Sequence, residues 1–277
     1  MPRSVTQPHS TSVHRPGISR HATNAYMPNN FSIRPHRWRP WAITLARAVS
    51  QGLLSSDCLM CGISDSAVLC EVCMNGLVDT VTSRCTRCGL KMMTSAHTDT
   101  LCGACQSEPP AFDQTLVVAD YAPPIDSLVQ DLKFRAQLPL ASAFGGLLIR
   151  AAGSSLQAAD VLLPVPLSRE RLEQRGFNQA LEIARPLARA WNKPLIIDSC
   201  VRTRNTSPQA ELPLTQRRVN MRGAFAVRNR RIIENQHVVV VDDVMTTGHT
   251  LQELAACLKR HGAARVSNLV LARTPIR

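Results

Sequence analysis

The sequence predicts an α/β fold, in which a mainly parallel β-sheet carries helices on both faces and follows a small cysteine-rich module. After Pro109 and Pro110, short apolar runs alternate with amphipathic stretches, which is the pattern of parallel strands joined by crossover helices. Four consecutive valines, 238–241, are apolar on both faces, as a buried parallel strand requires. Eight of the ten cysteines are confined to residues 58–105, ahead of this region.

Length and charge limit the possible classes of protein. A chain of 277 residues can hold one large core and a smaller module. The net charge is +12, but residues 1–50 contain seven arginines and no acid, so they carry +7 and the rest only +5. No apolar run approaches the roughly 20 residues that cross a bilayer. We therefore expect a soluble, cytoplasmic protein without a membrane span, whose folded part is mildly basic.

The first 40 residues are rich in arginine, serine and proline. This composition resembles an organellar transit peptide, but the prolines argue against an amphipathic helix. We favour a disordered basic extension at 1–40, or a start codon assigned too far upstream. The first predicted helix is Trp41–Leu54, and it belongs to a cysteine module at 41–109. The α/β domain occupies 110–277.

The cysteines of the module have the spacing of a metal site. A two-residue gap lets both thiolates turn toward one ion, and two such pairs complete a tetrahedron. A disulfide framework is the alternative, but we find no signal peptide, and a large cytosolic-type domain follows. We therefore predict two structural zinc ions. The eight ligands are Cys58, Cys61, Cys70, Cys73, Cys85, Cys88, Cys102 and Cys105.

The pairing of these ligands is open between a sequential and a cross-braced arrangement. We favour the sequential one, because the inner gaps of eight and thirteen residues are long enough for a small hairpin each. His97 is interpreted as a loop residue, since four thiolates already fill a tetrahedral shell. Cys200 and Cys257 are interpreted as small buried thiols. The module is not basic, so its charge does not support nucleic-acid binding on its own.

The elements of the α/β domain follow in a regular order. Strands are predicted at 116–119, 161–165, 195–201, 238–241 and 266–271, with helices at 123–134, 141–152, 171–191 and from Thr250 to Gly262. These would form a five-stranded sheet. Ligands of such sheets bind outside the carboxyl ends of the strands, where the segments Pro164–Ser168, Arg202–Arg222 and Asp242–Thr250 meet. The second segment is long and arginine-rich, which favours a lid over a polyanion; a solvated loop is the alternative.

The segment Val238–Thr250 combines a strand, two acids, a hydroxyl-rich loop and a helix start. Backbone N–H groups of 246–250 can converge on a phosphate, assisted by the helix dipole. The carboxylates of Asp242 and Asp243 can accept hydrogen bonds from sugar hydroxyls, so the segment suits a ribose 5-phosphate. Receiver domains also carry paired acids after an aliphatic strand. They need several further strand–helix units, however, and only 34 residues follow Asp243.

This segment resembles the 5-phosphoribosyl-1-diphosphate (PRPP) signature of type I phosphoribosyltransferases. Further matches are Pro164-Val165-Pro166-Leu167, Arg175-Gly176-Phe177-Asn178-Gln179-Ala180, Arg204-x-Thr206-x-Pro208-Gln209 and Arg218-x-Asn220. Together with the cysteine module they resemble the ComF family, GntX-like competence proteins with a zinc ribbon ahead of a phosphoribosyltransferase domain. The resemblance covers roughly 58–277 and implies a role in DNA uptake and natural transformation.

The resemblance implies a site for PRPP and Mg²⁺. Asp242 and Asp243 would be the catalytic pair that holds the ribose, and Arg204 would close over the ligand. The remaining expected PRPP-binding residues are Thr246, Thr247, Gly248, His249 and Thr250 for the 5-phosphate, and Pro166, Leu167 and Ser168 for the pyrophosphate. The chain would then be a phosphoribosyltransferase, a glycosyltransferase whose acceptor the sequence does not identify. The alternative is a non-catalytic module that senses PRPP or binds single-stranded DNA and competence partners.

Overall fold

The computed structural model describes residues 56–65, 67–78, 83–92, 100–203 and 223–275. They belong to one compact unit that spans Ala48–Arg277. The predicted extension at 1–40, the helix Trp41–Leu54, His97 and the segment that contains Arg204 lie outside the described residues. In the described part of the chain, none of the helices has both the length and the apolar character needed to cross a bilayer.

The cysteine module consists of small elements around the four C-x2-C pairs. Strands β1 (Ser56–Asp57) and β2 (Ser64–Asp65) pair in antiparallel fashion. The short helices α1 (Glu71–Gly76) and α2 (Gly103–Ser107) each begin directly after a cysteine. Because these elements bury little apolar surface by themselves, their stability depends on metal and on contacts with the rest of the chain.

The α/β domain is built on four parallel strands. They are β3 (Gln114–Asp120), β4 (Val161–Pro164), β7 (His237–Met245) and β8 (Arg265–Arg273). Their order in the sheet is β3-β8-β7-β4, so β7 and β8 are central. The carboxyl ends of all four strands therefore lie along one edge.

Helices cover both faces of this sheet, as predicted. One face packs against α3 (Ile125–Arg135), α4 (Pro139–Ala152) and α6 (Gln179–Trp191), and Val239 and Val241 point into that cluster. The other face packs against α7 (His249–Arg260), together with Val238 and Val240. The four valines alternate between two cores, which is why the run is apolar at every position.

The single helix predicted at 171–191 is wrong, because two helices occupy this region. Helix α5 (Arg169–Arg175) ends at Gly176, which adopts a left-handed φ of +79°. The side chain of Asn178 then accepts hydrogen bonds from the backbone N–H groups of Ala180 and Leu181, at 3.0 and 3.4 Å, and starts α6. A helix stop and a helix start thus lie inside the Arg-Gly-Phe-Asn-Gln-Ala run.

The predicted fifth strand of the main sheet, at 195–201, is also wrong. Leu195 makes one isolated parallel bridge to Leu162. Further along, β5 (Cys200–Arg202) pairs antiparallel with β6 (Phe225–Val227) in a separate two-stranded sheet. Asp198 and Ser199 form a bend between the two pairings, so the chain leaves the main sheet before β5 begins.

Candidate functional site

The acid pair lies within a strand rather than after it. Strand β7 continues through Asp242 and Asp243 to Met245, which corrects the prediction of a strand that ends at Val241. Asp242 is 9% exposed and Asp243 is 3% exposed. The N–H of Asp243 donates to Oδ1 of Asp242 at 2.9 Å. Two carboxyl groups are therefore held in a nearly dry environment at the centre of the carboxyl edge.

Lys133 pairs with one of the two acids, and the pKa values of the two are shifted in opposite directions. It lies in the last turn of α3 and forms an ion pair with Oδ2 of Asp243. Burial disfavours the Asp243 carboxylate, but Lys133 outweighs it and lowers the pKa of Asp243 below its usual value. Burial and the neighbouring Asp243 charge raise the pKa of Asp242 well above its usual value. Asp243 is thus the ionised member of the pair, and Asp242 is the member that retains a proton more readily.

The Arg175–Ala180 run contacts the acid pair directly. The side chain of Gln179 hydrogen-bonds to Asp243 and accepts a hydrogen bond from Nη1 of Arg175. The guanidinium of Arg175 also lies 5.6 Å from the ring centroid of Phe134, which is a cation–π distance. Burial lowers the pKa of Arg175, and the charge of Asp243 opposes that shift. The break between α5 and α6 therefore positions a cation and an amide at the site.

A third cation, Arg202, lies near Asp242, whose charge affects its pKa. Arg202 ends β5, and its guanidinium lies 5.8 Å from the ring centroid of Phe225. Burial and the nearby charge of Arg171 lower the pKa of Arg202 to about 10, while Asp242 opposes the shift. A pKa of about 10 leaves Arg202 positively charged at neutral pH. The sheet edge therefore combines two acids with several cations.

The loop after β7 is the segment in which the sequence predicts a phosphate site, and that role stays a prediction. Residues 246–248 connect β7 to α7, and Gly248 has a left-handed φ of +82°. A Cβ on Gly248 would lie 2.5 Å from Cε of Met245, the flexible end of that side chain, so the left-handed φ is the main reason for a glycine here. Oγ1 of Thr247 lies 3.1 Å from Nδ1 of His249. The first N–H groups of a helix have no intrahelical acceptor, so this loop and helix start can offer donors to an anion.

The segment after β4 lies beside the acid pair, as predicted. Pro164 pairs in register with Val241, and the N–H of Val165 donates to the Val241 carbonyl at 2.9 Å. Pro166, Leu167 and Ser168 follow directly. The buried hydroxyl of Ser168 accepts from the N–H of Arg171 at 3.4 Å and caps α5. A hydrogen bond to pyrophosphate through this hydroxyl stays a prediction.

The eight cysteines of the module form two groups, and the sequential pairing is confirmed. Cys58, Cys61, Cys70 and Cys73 make one tetrad, and Cys85, Cys88, Cys102 and Cys105 make the other. Within each tetrad all Sγ atoms lie within 4.8 Å of one another.

The dimensions of both tetrads fit tetrahedral zinc. The Sγ atoms of Cys61 and Cys70 are 3.8 Å apart, and those of Cys88 and Cys102 are 3.7 Å apart. Zn–S bonds of about 2.3 Å in a tetrahedron place two sulfurs about 3.8 Å apart. Backbone N–H groups of Cys70 and Cys102 donate to Sγ of Cys58 and Cys85, at 3.4 and 3.3 Å. Such donors stabilise the thiolate form that binds metal.

The other two cysteines lie apart from the tetrads. Cys200 and Cys257 are buried, and Sγ of Cys257 donates to the carbonyl of Phe225 at 3.4 Å. Burial raises the pKa of Cys200 to about 12. Thiols with these properties are unreactive, which agrees with the interpretation from the sequence.

Several residues of the site were absent from the predicted set. Lys133, Arg175, Gln179 and Arg202 all come from elements other than β7. Lys133 borders the apolar stripe formed by Ile125, Leu128, Val129 and Leu132, which are buried. A lysine at the edge of this buried stripe is the feature of the sequence that could have identified Lys133 as a site residue.

Comparisons with known families find one match in the cysteine module and another in the α/β domain. The family model "Double zinc ribbon domain" matches residues 49–106, and "Phosphoribosyl transferase domain" matches residues 175–277. The chain is 38% identical over 213 residues to the DNA utilization protein YhgH of Escherichia coli O157:H7, covering 74% of this chain and 90% of that protein.

Two further relatives carry names from natural competence. Competence protein F of Haemophilus influenzae is 30% identical over 195 residues, which cover 68% of this chain and 84% of that protein. Competence protein ComFC of Bacillus subtilis is 39% identical over 115 residues, 41% of this chain and 45% of that protein.

Among solved structures, the allosteric regulatory enzyme of purine biosynthesis matches 47% of this chain at 22% identity with a TM-score of 0.32. A glutamine PRPP amidotransferase from B. subtilis matches 46% at 21% identity with a TM-score of 0.30. The chain spans a quarter of the length of each of these two structures.

Proposed function

The chain belongs to the ComF family of competence and DNA utilization proteins, and on that premise we propose that it binds PRPP with Mg²⁺ at the carboxyl end of β7. The proposed activity is phosphoribosyl transfer to an acceptor, with displacement of pyrophosphate. The proposal rests on one observation: the acid pair lies near the end of β7, and the loop that we assign to the phosphate follows this strand directly. Asp242 and Asp243 are buried at the sheet edge, and Gly248 opens the turn into α7 three residues after Met245.

The spacing along β7 suits a ribose 5-phosphate. The 5-phosphate would accept hydrogen bonds from the N–H groups of 246–250, and the helix dipole of α7 would favour its charge. The ionised carboxylate of Asp243 would accept a hydrogen bond from a ribose hydroxyl. The protonated form of Asp242 can donate as well as accept, so the pair can serve two neighbouring hydroxyls. In this scheme the acids bind and orient the sugar.

The cations around the acids suit the rest of the ligand. Lys133, Arg175 and Arg202 lie on three different elements around the carboxyl edge. They would attract the pyrophosphate group, and Mg²⁺ bound with it would neutralise part of its charge. The predicted roles of Pro166–Ser168 on the pyrophosphate side and of Arg204 in a lid belong to the same proposal.

The chemistry needs positioning more than a strong acid or base. The bond from the anomeric carbon to the pyrophosphate oxygen breaks as the bond to the acceptor forms, and the sugar becomes cationic in between. Holding the ribose on Asp242 and Asp243 and the phosphate on the loop fixes the reacting carbon. Cations beside the pyrophosphate would stabilise the negative charge that develops on this leaving group. Both effects would come from groups that lie at the same edge of the sheet.

Calorimetry tests the binding step. The intact protein should bind PRPP in the presence of Mg²⁺, and Asp242→Asn should weaken the binding while the fold and the zinc content stay unchanged. Asp198→Asn, at an exposed bend, is the matched control and should leave the affinity unchanged. Equal affinities of the wild type and the Asp242→Asn variant would contradict this assignment of the site.

Pyrophosphate release tests the transfer step. Incubation with PRPP and Mg²⁺ and a panel of acceptors should give release that depends on one acceptor class. Binding of PRPP without release for any acceptor would favour the second candidate, a PRPP-sensing module on the same fold. That candidate is supported by the names of the relatives, which refer to DNA utilization and competence rather than to a reaction. In both cases we propose a role in DNA uptake, with single-stranded DNA or competence machinery as partners.

A further inference from the structure

Arg273 connects the second cysteine tetrad to the strand that carries the phosphate loop. It is the last residue of β8 and only 4% exposed. Its Nε donates to the carbonyl of Cys88 at 3.3 Å. Its Nη1 donates to the carbonyls of Met245 and Thr274, at 3.1 and 3.3 Å. One buried guanidinium therefore bonds to the backbone of a metal-ligating turn and to the backbone at the end of β7.

The ribbon side of this connection carries charge when metal is bound. Four thiolates and one Zn²⁺ have a net charge of −2, and a cation is favoured next to them in a buried setting. The turn at Cys88 also lies close to the sheet, since a Cβ on Gly89 would lie 2.4 Å from Cγ2 of Val117. Asp120, which pairs in register with Arg273, bonds to Arg84 of the ribbon at 2.8 Å. The second tetrad is therefore held against the carboxyl ends of β3 and β8.

On the side of the sheet, the hydrogen bond of Arg273 reaches the residue that precedes the loop after β7. Met245 is the last residue of β7, and its carbonyl accepts both from Arg273 and from the N–H of Thr274, the latter at 3.0 Å. Its side chain lies against Gly248, where a Cβ would be 2.5 Å from the methionine Cε. A shift of Met245 would thus move the turn whose N–H groups face the proposed phosphate.

The first tetrad has no equivalent connection among the described residues. Its module packs on α4, where Arg150 donates to Oδ1 of Asn75 at 2.7 Å. Like Arg273, Arg150 bonds from the α/β domain to the cysteine module. Its described partners are Asn75 and Glu71, and neither belongs to the loop after β7.

We propose that Arg273 is a positioning residue through which zinc in the second tetrad sets the affinity of the phosphate loop. This inference rests on the proposed phosphate binding at 246–250. Loaded with zinc, the tetrad fixes the Cys88 carbonyl, Arg273 is held in the orientation that bonds to Met245, and the loop is kept in its binding conformation. Because coupling between two sites is reciprocal, a phosphate ligand should also tighten zinc binding at this tetrad.

The test compares the full-length wild type with Arg273→Lys and with Arg150→Lys as matched control. Lysine keeps the charge but lacks the planar fork that reaches two carbonyls at once. We expect Arg273→Lys to retain two zinc ions by elemental analysis and to bind ribose 5-phosphate about tenfold more weakly, within the usual range of coupling. Amide hydrogen exchange at 246–251 should be faster, with residues 237–244 of β7 unaffected. Arg150→Lys should match the wild type in all three measurements.

A second measurement is made first on the wild type, where it does not depend on how a variant folds. Equilibrium competition with a zinc chelator should show tighter zinc binding at one tetrad when ribose 5-phosphate is present. Arg273→Lys should lose this effect. Removal of zinc should also speed amide exchange at 246–251 without any ligand.

The outcomes separate the two proposals. Two results would overturn the coupling and leave the phosphate site intact. One is an equal affinity of wild type and Arg273→Lys for ribose 5-phosphate, and the other is a zinc affinity that ribose 5-phosphate does not change. A wild type that does not bind ribose 5-phosphate overturns the phosphate site itself. In that event, amide hydrogen exchange at 246–251 still tests the coupling. An exchange rate that zinc removal does not change would exclude the coupling, and a rate that zinc removal raises would retain it as a property of the fold.

Discussion

Lys133 of α3 and Asp243 of β7 form an ion pair at the carboxyl edge of the sheet. The lysine side chain is 18% exposed and the aspartate is buried more deeply, so water screens the pair weakly. Helix α3 is thereby joined to the strand that carries both acids. The pair also explains why two adjacent buried carboxyl groups can coexist, since Lys133 neutralises one of them.

Removing one partner of this pair should be costly. Lys133→Met leaves the Asp243 carboxylate buried without its cation, and we expect a loss of about 3–5 kcal/mol in the free energy of unfolding at neutral pH. Adding Asp243→Asn to this variant should recover much of the loss. Denaturant unfolding of the two single variants and the double variant gives the coupling energy. Lys193→Met, beyond the end of α6, is the control; additive effects of the two changes would contradict a direct pair.

The pH dependence of stability should reveal the raised pKa of Asp242. An acid whose pKa is higher in the folded than in the unfolded protein favours folding below the unfolded pKa, about 3.9. This contribution is lost as the pH rises through the folded pKa. We therefore expect Asp242→Asn to be more stable than the wild type at pH 7, with the difference shrinking toward pH 4. Unfolding curves across this range measure it.

The same variant should lose affinity for PRPP. A gain in stability together with a loss of binding is expected of a residue that is buried for function rather than for folding. If Asp242→Asn were less stable than the wild type at pH 7, the carboxyl group would be stabilising the fold, and its raised pKa would need another explanation.

The sequence was sufficient to predict the features whose signals are local. The valine run and its two cores, the loop at Gly248 and the two cysteine tetrads all follow from spacing along the chain. Each of these patterns is set by one backbone segment, or by a pair of knuckles close in sequence. Their signals can therefore be read from residues that are close together in the chain.

The parts that were missed depend on contacts between distant segments. Lys133 reaches Asp243 from 110 positions away, and Arg273 joins Cys88 to Met245. No periodicity encodes such contacts. The break at Gly176 was missed for a different reason, because the flanking residues continue a helical pattern and only the Gly-Phe-Asn turn interrupts it. The strand predicted at 195–201 had strand-like residues, but only its start bridges the main sheet, at Leu162, and its end pairs with β6.

Two zinc ions per chain are the expected result of elemental analysis on protein purified without chelator. Both tetrads have the sulfur spacing of a tetrahedral site. Cys105→Ser should reduce the ratio to about one, because three thiolates bind zinc more weakly than four. Cys200→Ala is the control outside the tetrads and should leave the ratio at two. A ratio near one for the wild type would mean that one tetrad binds no metal.

Single-stranded DNA should bind to the folded part of the chain. Family membership points to DNA utilization, and α5 presents arginines near the site, with Arg169 92% exposed and paired to Glu173 at 2.7 Å. A truncated chain that begins at Trp41 lacks six of the seven N-terminal arginines yet keeps these residues. We expect it to retain binding, measured by fluorescence anisotropy with a labelled oligonucleotide.

Salt dependence should show how many phosphates that surface contacts. The logarithm of the binding constant should fall with the logarithm of salt concentration by about 0.7 per phosphate contact, so a slope near −2 would correspond to about three contacts. Arg169→Gln should make the slope shallower by about 0.7, which corresponds to one phosphate contact, because the slope reports the counterions that cations at the interface release. Arg230→Gln, in the turn before β7 and also paired to a glutamate, is the matched control. If truncation abolished DNA binding while PRPP binding persisted, the six arginines that it removes would supply the attraction, and the sheet domain would serve PRPP alone.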